Sequence, residues 1–552
     1  MKYQLLCKGL WLAACCLQQG PLIAQMHTVQ HIPLLPGEYW WGALVNAGHE
    51  MPFQAGAVYD LLAGNRDNQA QPLLLSSMGR YVWSEAPFRF SLSAADLQVE
   101  GPAACEVRAA GGSLREAYLH AAAAHFPADG QLPAETFFSA PQWNTWIELG
   151  YGQRQERILE YAHTILREGF PPGILMLDDT WQEDYGVWRF HPGRFPGPRQ
   201  MIDTLHALGF QVMLWIVPAV SPDSYEFREL RAAKALLVEQ TPNSYSPHYV
   251  KWIQEEPQPA LVRWWNGASA MLDFGQPAAS AWLTAQLDRL QQEYAVDGFK
   301  FDGGDWYFFP AYAASALHAS EQARAYGEIG LRYPLNEYRA AWKMGGRPLV
   351  QRLQDKNHSW EDLRQLIPHM LAQGMLGYSF GCPDMIGGGM LGSFGSAALD
   401  QELFVRSAQI HALMPMMQFS MAPWRVLDGP HLAAVKTASQ LRAARFQPLI
   451  LSLARASARS GEPIVRHLEY VFPHQGFHRV DDQFMLGDSV LVAPMVRPGS
   501  SREVLLPPGN WKADDGQLYT GSRRIRIDVP LERIPWFERM PQAKANGLRR
   551  RR

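Results

Sequence analysis

Residues 296–306 read VDGFKFDGGDW. An apolar, aromatic run stops on Asp302, two glycines follow, and Asp305 comes next. A carboxylate at the end of a buried strand costs several kcal/mol unless something compensates it. A strand of a parallel barrel supplies the compensation, because its C-terminal end opens on a mouth where loops from all eight strands converge. The pattern recurs in this chain. GILMLDDTW (173–181) ends its apolar run on Asp178 and Asp179, LGYSFGCPD (376–384) ends on Asp384, and Asp355 follows LVQRLQ (349–354).

Outward from these segments, short apolar runs alternate with helical patterns from about residue 141. RQERILEYAHTILREG (154–169) carries Ile158, Leu159, Ala162, Ile165 and Leu166 at helical spacing, with Gly169 as a stop. Strands are expected over 144–149, 173–178, 211–217, 296–302, 349–353, 376–380, 414–419 and 463–470. Eight βα units predict an α/β fold, a (β/α)8 TIM barrel, over 135–480. Before it, EYWW and GRYVWSEAPFRF predict an N-terminal β-sandwich-like domain over 26–134. After it, FMLGDSVLVAPMV, REVLLPPGNW and RRIRIDVPLERIPWF predict a C-terminal antiparallel β-sandwich over 481–552.

The chain has 552 residues, a net charge of -3, 47% hydrophobic and 19% charged residues. That lacks the basic surplus a phosphate backbone demands, so nucleic acid is excluded as a partner. Three of its five cysteines, Cys7, Cys15 and Cys16, sit at the start, and Cys105 and Cys382 are far apart, so neither a disulfide framework nor a metal site is expected. The opening 25 residues have early lysines, a short apolar stretch and small residues, as an export signal does. Leu12-Ala13-Ala14-Cys15 fits a bacterial lipoprotein processing box with a lipid anchor at Cys15, and cleavage after Ala24 is the other reading. These readings predict an exported, periplasmic or outer-membrane protein, against a cytoplasmic alternative, with no transmembrane span. The closing Arg549–Arg552 run reads as a solvated tail.

Taken singly, each aspartate after a strand reads as a helix cap or turn residue. Several converging on one barrel face imply a use, since crowded like charges are costly: a metal, or acid, base and nucleophile work. An enolase-like magnesium site is one such use. The tryptophans argue against it. Trp143, Trp146, Trp181, Trp215, Trp264, Trp265, Trp306, Trp360 and Trp424 fall at or near the expected strand ends and following loops. Sugar C–H faces pack on indole while sugar hydroxyls seek carboxylates and arginine, so the residues predict a carbohydrate pocket with two working acids and no cofactor.

The phrases GFKFDGGD and CPDMIGGG, with NTWIELGYGQ, LDDTWQEDYGVW and DQFMLGDSVLVAPMV, resemble family 31 of the glycoside hydrolases. They are most similar to the branch of the myogenesis-regulating glycosidase and α-galactosidases. The resemblance spans nearly the whole chain after the leader and implies a barrel between β domains. It implies a retaining α-glycosidase acting on an α-glucoside, α-galactoside or α-xyloside, with an inactive carbohydrate-binding relative or a transglycosylase as alternatives. By that resemblance Asp302 is the nucleophile and Asp355, five residues before Trp360, the acid/base. Asp178 holds sugar hydroxyls, with Asp179 beside it, while Trp215, Trp265, Arg352 and Asp384 belong to the substrate pocket. Lys300, two residues before Asp302, is expected in the same pocket, although most members have no cation there. Lys356 interrupts the usual Asp-Asn pair, and Gly303-Gly304 replace Met-Asn, which suggests room for a sugar against the backbone.

Overall fold

The computed structural model describes residues 28–64, 68–240, 257–394 and 399–541. The leader with Cys15 and the arginine tail lie outside the described residues, and no helix among those described is long and apolar enough to cross a membrane.

Eight parallel strands form the central sheet: β1 Gln142–Asn144, β2 Ile174–Leu177, β3 Gln211–Ile216, β4 Gly298–Phe301, β5 Leu335–Tyr338, β6 Val350–Arg352, β7 Gly381–Cys382 and β8 Gln418–Phe419. Their order is β7-β6-β5-β4-β3-β2-β1-β8. The remaining gap is closed by a parallel bridge between Ile386 and Phe419, so the sheet curls into a barrel. Side-chain alternation explains β4. Phe299 and Phe301 pack outward, against Tyr333 and Tyr338 at centroid distances of 4.9 Å, whereas Lys300 and Asp302 face the barrel axis.

Three strand expectations change. Residues 144–149 turn helical after Asn144, with Trp146–Leu149 forming a helical turn. The strand expected over 376–380 lies later, at Gly381–Cys382, after the helix Trp360–Met375 has run to its end. The run 463–470 is not a barrel strand: Val465–Arg466 pairs antiparallel with Phe484–Leu486 in the C-terminal sheet. Its place in the barrel belongs to β5, whose Asn336 and Glu337 interrupt the apolar pattern.

Two antiparallel sheets, of four and five strands, build the N-terminal β layer. The larger receives Ala341–Trp342 from the barrel loop after β5, paired in parallel with Gln69 and Ala70. A six-stranded sheet and a two-stranded ribbon make the C-terminal domain. Arg406, buried on a barrel-side helix, donates to the carbonyls of Gly499 and Val529 at 3.1 and 3.0 Å, docking that domain on the barrel. A buried guanidinium needs acceptors, and backbone carbonyls take donors of both its Nη groups here.

Candidate active site

The C-terminal ends of the strands open on a cavity of about 320 Å³ whose walls include Asp178, Asp179, Trp215, Trp265, Lys300, Asp302, Arg352 and Asp355. Eight of the nine expected site residues therefore meet in one place. The ninth, Asp384, is fully buried behind the wall. There it accepts from Arg352 Nη1 at 2.9 Å and from the Lys356 backbone N–H at 2.8 Å.

Asp302 is held by three neighbours. Trp215 Nε1 donates to its Oδ2 at 2.8 Å, the Gly303 backbone N–H to its Oδ1 at 2.9 Å, and Arg339 Nη1 stands 3.8 Å from Oδ1. Register explains the meeting. Trp215 lies opposite Lys300 across β3 and β4, and Phe301 opposite Tyr338 across β4 and β5, so the residues that follow, Asp302 and Arg339, emerge side by side. Burial raises the Asp302 carboxyl, but Arg339, Lys300 and Arg352 outweigh it and hold the group down at about 2. The two glycines after it serve the backbone rather than a ligand. Gly303 and Gly304 have φ of +65° and +77°, and an added Cβ would meet Val217 at 2.9 Å and Tyr326 at 2.6 Å. They turn the chain sharply so that Asp302 ends the strand facing the cavity.

Across the cavity, Arg352 Nη1 donates to Asp355 Oδ1 at 2.6 Å as well as to Asp384. One guanidinium thus ties the loop after β6 to the loop after β7. Burial, reinforced by Asp355 and opposed by Arg352, pushes Asp384 up from the usual carboxylate range. At the floor, Lys300 Nζ donates to Asp178 Oδ2 at 2.6 Å, with both side chains buried but for the part that faces the cavity. Asp178 and the other acids outweigh burial and keep Lys300 above its ordinary value. The barrel interior below is polar too: Gln418 Nε2 donates to Glu337 and to Gln142.

Asp179 has a different character from its neighbour. Its oxygens accept from the Thr180 backbone N–H and Gln182 Nε2 on one side, and from Tyr185 Oη and Asn266 Nδ2 on the other. All four donors are neutral, so it laces the loop after β2 to the hairpin Leu261–Trp264 and Gly267–Met271. Burial, with Gln182 opposing and Asp178 adding, raises its pKa to about 6. A folded-state value above the unfolded one means that stability from this group is greatest below about pH 4 and is lost as pH climbs through 6, a span worth on the order of 3 kcal/mol. Asp179→Asn should flatten that part of the slope; urea unfolding of both proteins between pH 4 and 7 checks it, and identical slopes would refute the assignment.

Sequence reasoning missed Arg339, which lines the cavity, spans Asp302 and Asp305 and lies 5.4 Å over the Trp265 ring. Recognising β5 would have found it, because Arg339 stands just past that strand's end. The tryptophan reading was too generous. Of those nine, only Trp146, Trp215 and Trp265 line the cavity; Trp143 stacks on Phe419 at 4.7 Å in the core, and Trp181 is fully buried.

Comparison with known proteins follows the same outline. The profile for the glycosyl hydrolases family 31 TIM-barrel domain matches residues 139–453, and that for the family 31 C-terminal domain matches residues 461–541. The mouse myogenesis-regulating glycosidase is 34% identical over 429 residues, covering 75% of this chain and 58% of that protein. The 1,3-alpha-isomaltosidase of Kribbella flavida is 25% identical, covering 74% of this chain and 60% of that protein. The chain thus spans about three fifths of the length of these two curated relatives. Among solved structures, a Flavobacterium johnsoniae family 31 dextranase bound to glucose superposes with a TM-score of 0.81 at 19% identity, covering 93% of this chain and 66% of that one. An α-xylosidase from a soil metagenome, bound to xylose, superposes with a TM-score of 0.78 at 21% identity, covering 94% and 80%.

Proposed function

This chain belongs to glycoside hydrolase family 31, and from that premise we propose that it is a retaining α-glycosidase releasing a terminal α-linked sugar from an oligosaccharide or glycoside. The observation that carries the reading is the pair Asp302 and Asp355, delivered by different strands to one cavity and each held by its own arginine.

In this mechanism an ionised Asp302 oxygen attacks the anomeric carbon while the bond to the leaving oxygen breaks, and Asp355 gives that oxygen its proton. The product alcohol departs and a glycosyl ester of Asp302 remains. Asp355, now a carboxylate, takes a proton from water; the water oxygen attacks the same carbon, and Asp302 is released. Two inversions give net retention, which requires the two carboxyls to act across a gap of about 5–5.5 Å. The low value of Asp302 suits a nucleophile that must be ionised at every working pH. Trp265 supplies an aromatic wall, and the Asp178–Lys300 pair offers an acceptor and donors to hydroxyls at the pocket's floor.

Purified protein is expected to release nitrophenol from at least one of the α-glucoside, α-galactoside and α-xyloside. Proton NMR of the first-formed sugar is expected to show the α-anomer. Silence across the panel would overturn the glycosidase reading, and a first-formed β-anomer would overturn double displacement.

A further inference from the structure

Lys356 follows the candidate acid/base directly, yet its side chain leaves the cavity and enters the protein. It is 7% exposed, and its Nζ lies 2.9 Å from His369 Nδ1. His369, 3% exposed, sits on the helix Trp360–Met375, and its Nε2 lies 2.9 Å from His49 Nδ1. His49 belongs to the 3-10 helix Val45–Glu50 of the N-terminal layer. An ammonium can only donate, so His369 Nδ1 accepts, and its Nε2 is left to carry the hydrogen that faces His49. The 3-10 segment is pressed close on the helix Trp360–Met375: a Cβ at Gly48 would stand 2.5 Å from the Pro368 carbonyl oxygen.

The main chain of the same residue works in the opposite direction. Its N–H donates to Asp384 Oδ2 at 2.8 Å, and its carbonyl accepts from Gly389 and Met390 at 2.9 and 3.0 Å. Met390 lines the cavity mouth. Lys356 is therefore where the Asp355 loop, the loop after β7 and the N-terminal layer are joined, and a shift of its backbone would move Asp355 against the substrate.

We propose that Lys356 is a positioning residue for the acid/base, its ammonium anchored through His369 to His49 so that the Asp355 loop is held in register and a positive charge stands behind that carboxyl. The charged neighbours are Asp384 from the loop after β7, Asp362 from the helix, and Asp355 and Arg352 from its own segment, with the uncharged His369 ring against its Nζ. Three acids against one arginine favour the cation, while burial pulls the other way and lowers the Lys356 value overall. Burial and Lys356 itself hold His369 well below its ordinary value, which keeps it an acceptor.

The inference rests on the glycosidase reading. Lys356→Met keeps the length and removes the charge and the bond. Its kcat should fall roughly tenfold with KM nearly unchanged, since loss of register acts on the reacting geometry. If Lys356→Met does not fold, His49→Phe carries the test from the far end, with a several-fold loss of kcat expected at unchanged KM. An active wild type whose folded variant keeps its kcat, losing only melting temperature, overturns the positioning role alone. A wild type silent on every glycoside overturns the glycosidase reading and this inference with it.

Discussion

Asp302→Asn is expected to lower kcat by at least about 10⁴-fold, some 5.5 kcal/mol of barrier, while leaving the fold intact. The amide cannot form the glycosyl ester, so the whole first displacement is lost rather than slowed. Its shape is nonetheless that of the carboxylate. The side-chain oxygen can still accept from Trp215 Nε1 or from the Gly303 N–H, and Arg339 retains Asp305 at 3.0 Å. The linkage sign is that of a depressed acid: Asp302 contributes stability above its unfolded value near 3.8 and loses it as pH falls toward 2. Near neutrality the variant should therefore melt a few degrees lower, but cooperatively. The measurement is turnover of the best nitrophenyl glycoside alongside a thermal melt. Parent-like turnover in a clean preparation would remove Asp302 from the chemistry.

Asp355→Ala should show a different signature, because what it loses is a proton donor. Nitrophenolate leaves without protonation, whereas a sugar hydroxyl does not, so the first step should be nearly spared for the aryl glycoside and slowed by about 10²–10⁴-fold for an α-linked disaccharide. Breakdown of the ester also needs Asp355, as base, so the aryl substrate should give a burst of nitrophenol followed by slow steady turnover. Arg352 keeps Asp384 at 2.9 Å and Glu337 at 3.6 Å after the change, so the loop should hold. Comparing pre-steady-state release for the two substrate types makes the check. An equal loss on both, without a burst, would mean that Asp355 is not the acid/base.

Much of this site could be read from the chain because the barrel puts chemistry at strand ends, and an apolar run stopping on an acid is visible without coordinates. Asp178, Asp302 and Asp384 stood out for that reason. What hid β5 was the polarity of the barrel interior. Glu337 and Asn336 occupy a strand, but hydropathy reads LNEY as a loop, and Arg339 was lost with it. The run 463–470 failed in the opposite way: it is apolar enough for a barrel strand, and only its pairing with Phe484–Leu486 assigns it elsewhere. Tryptophan content likewise cannot separate a stacked core ring such as Trp143 from a pocket ring such as Trp265. The surroundings of Lys356 were beyond sequence, since His369 and His49 come from a helix and a turn of different domains.

The short strand Ala341–Trp342 has a bearing on synthesis. It pairs with the start of the inner strand Gln69–Ser76, in a sheet whose other strands lie before residue 110, and Trp342 is fully buried in that layer's own apolar cluster. A nascent chain emerging from the ribosome therefore carries an unfinished amino-terminal lobe, with a bare flank able to recruit neighbouring polypeptides, until more than half the molecule has been translated. For the same reason the lobe is not a transplantable module: excised, it would lack a piece of its own wall.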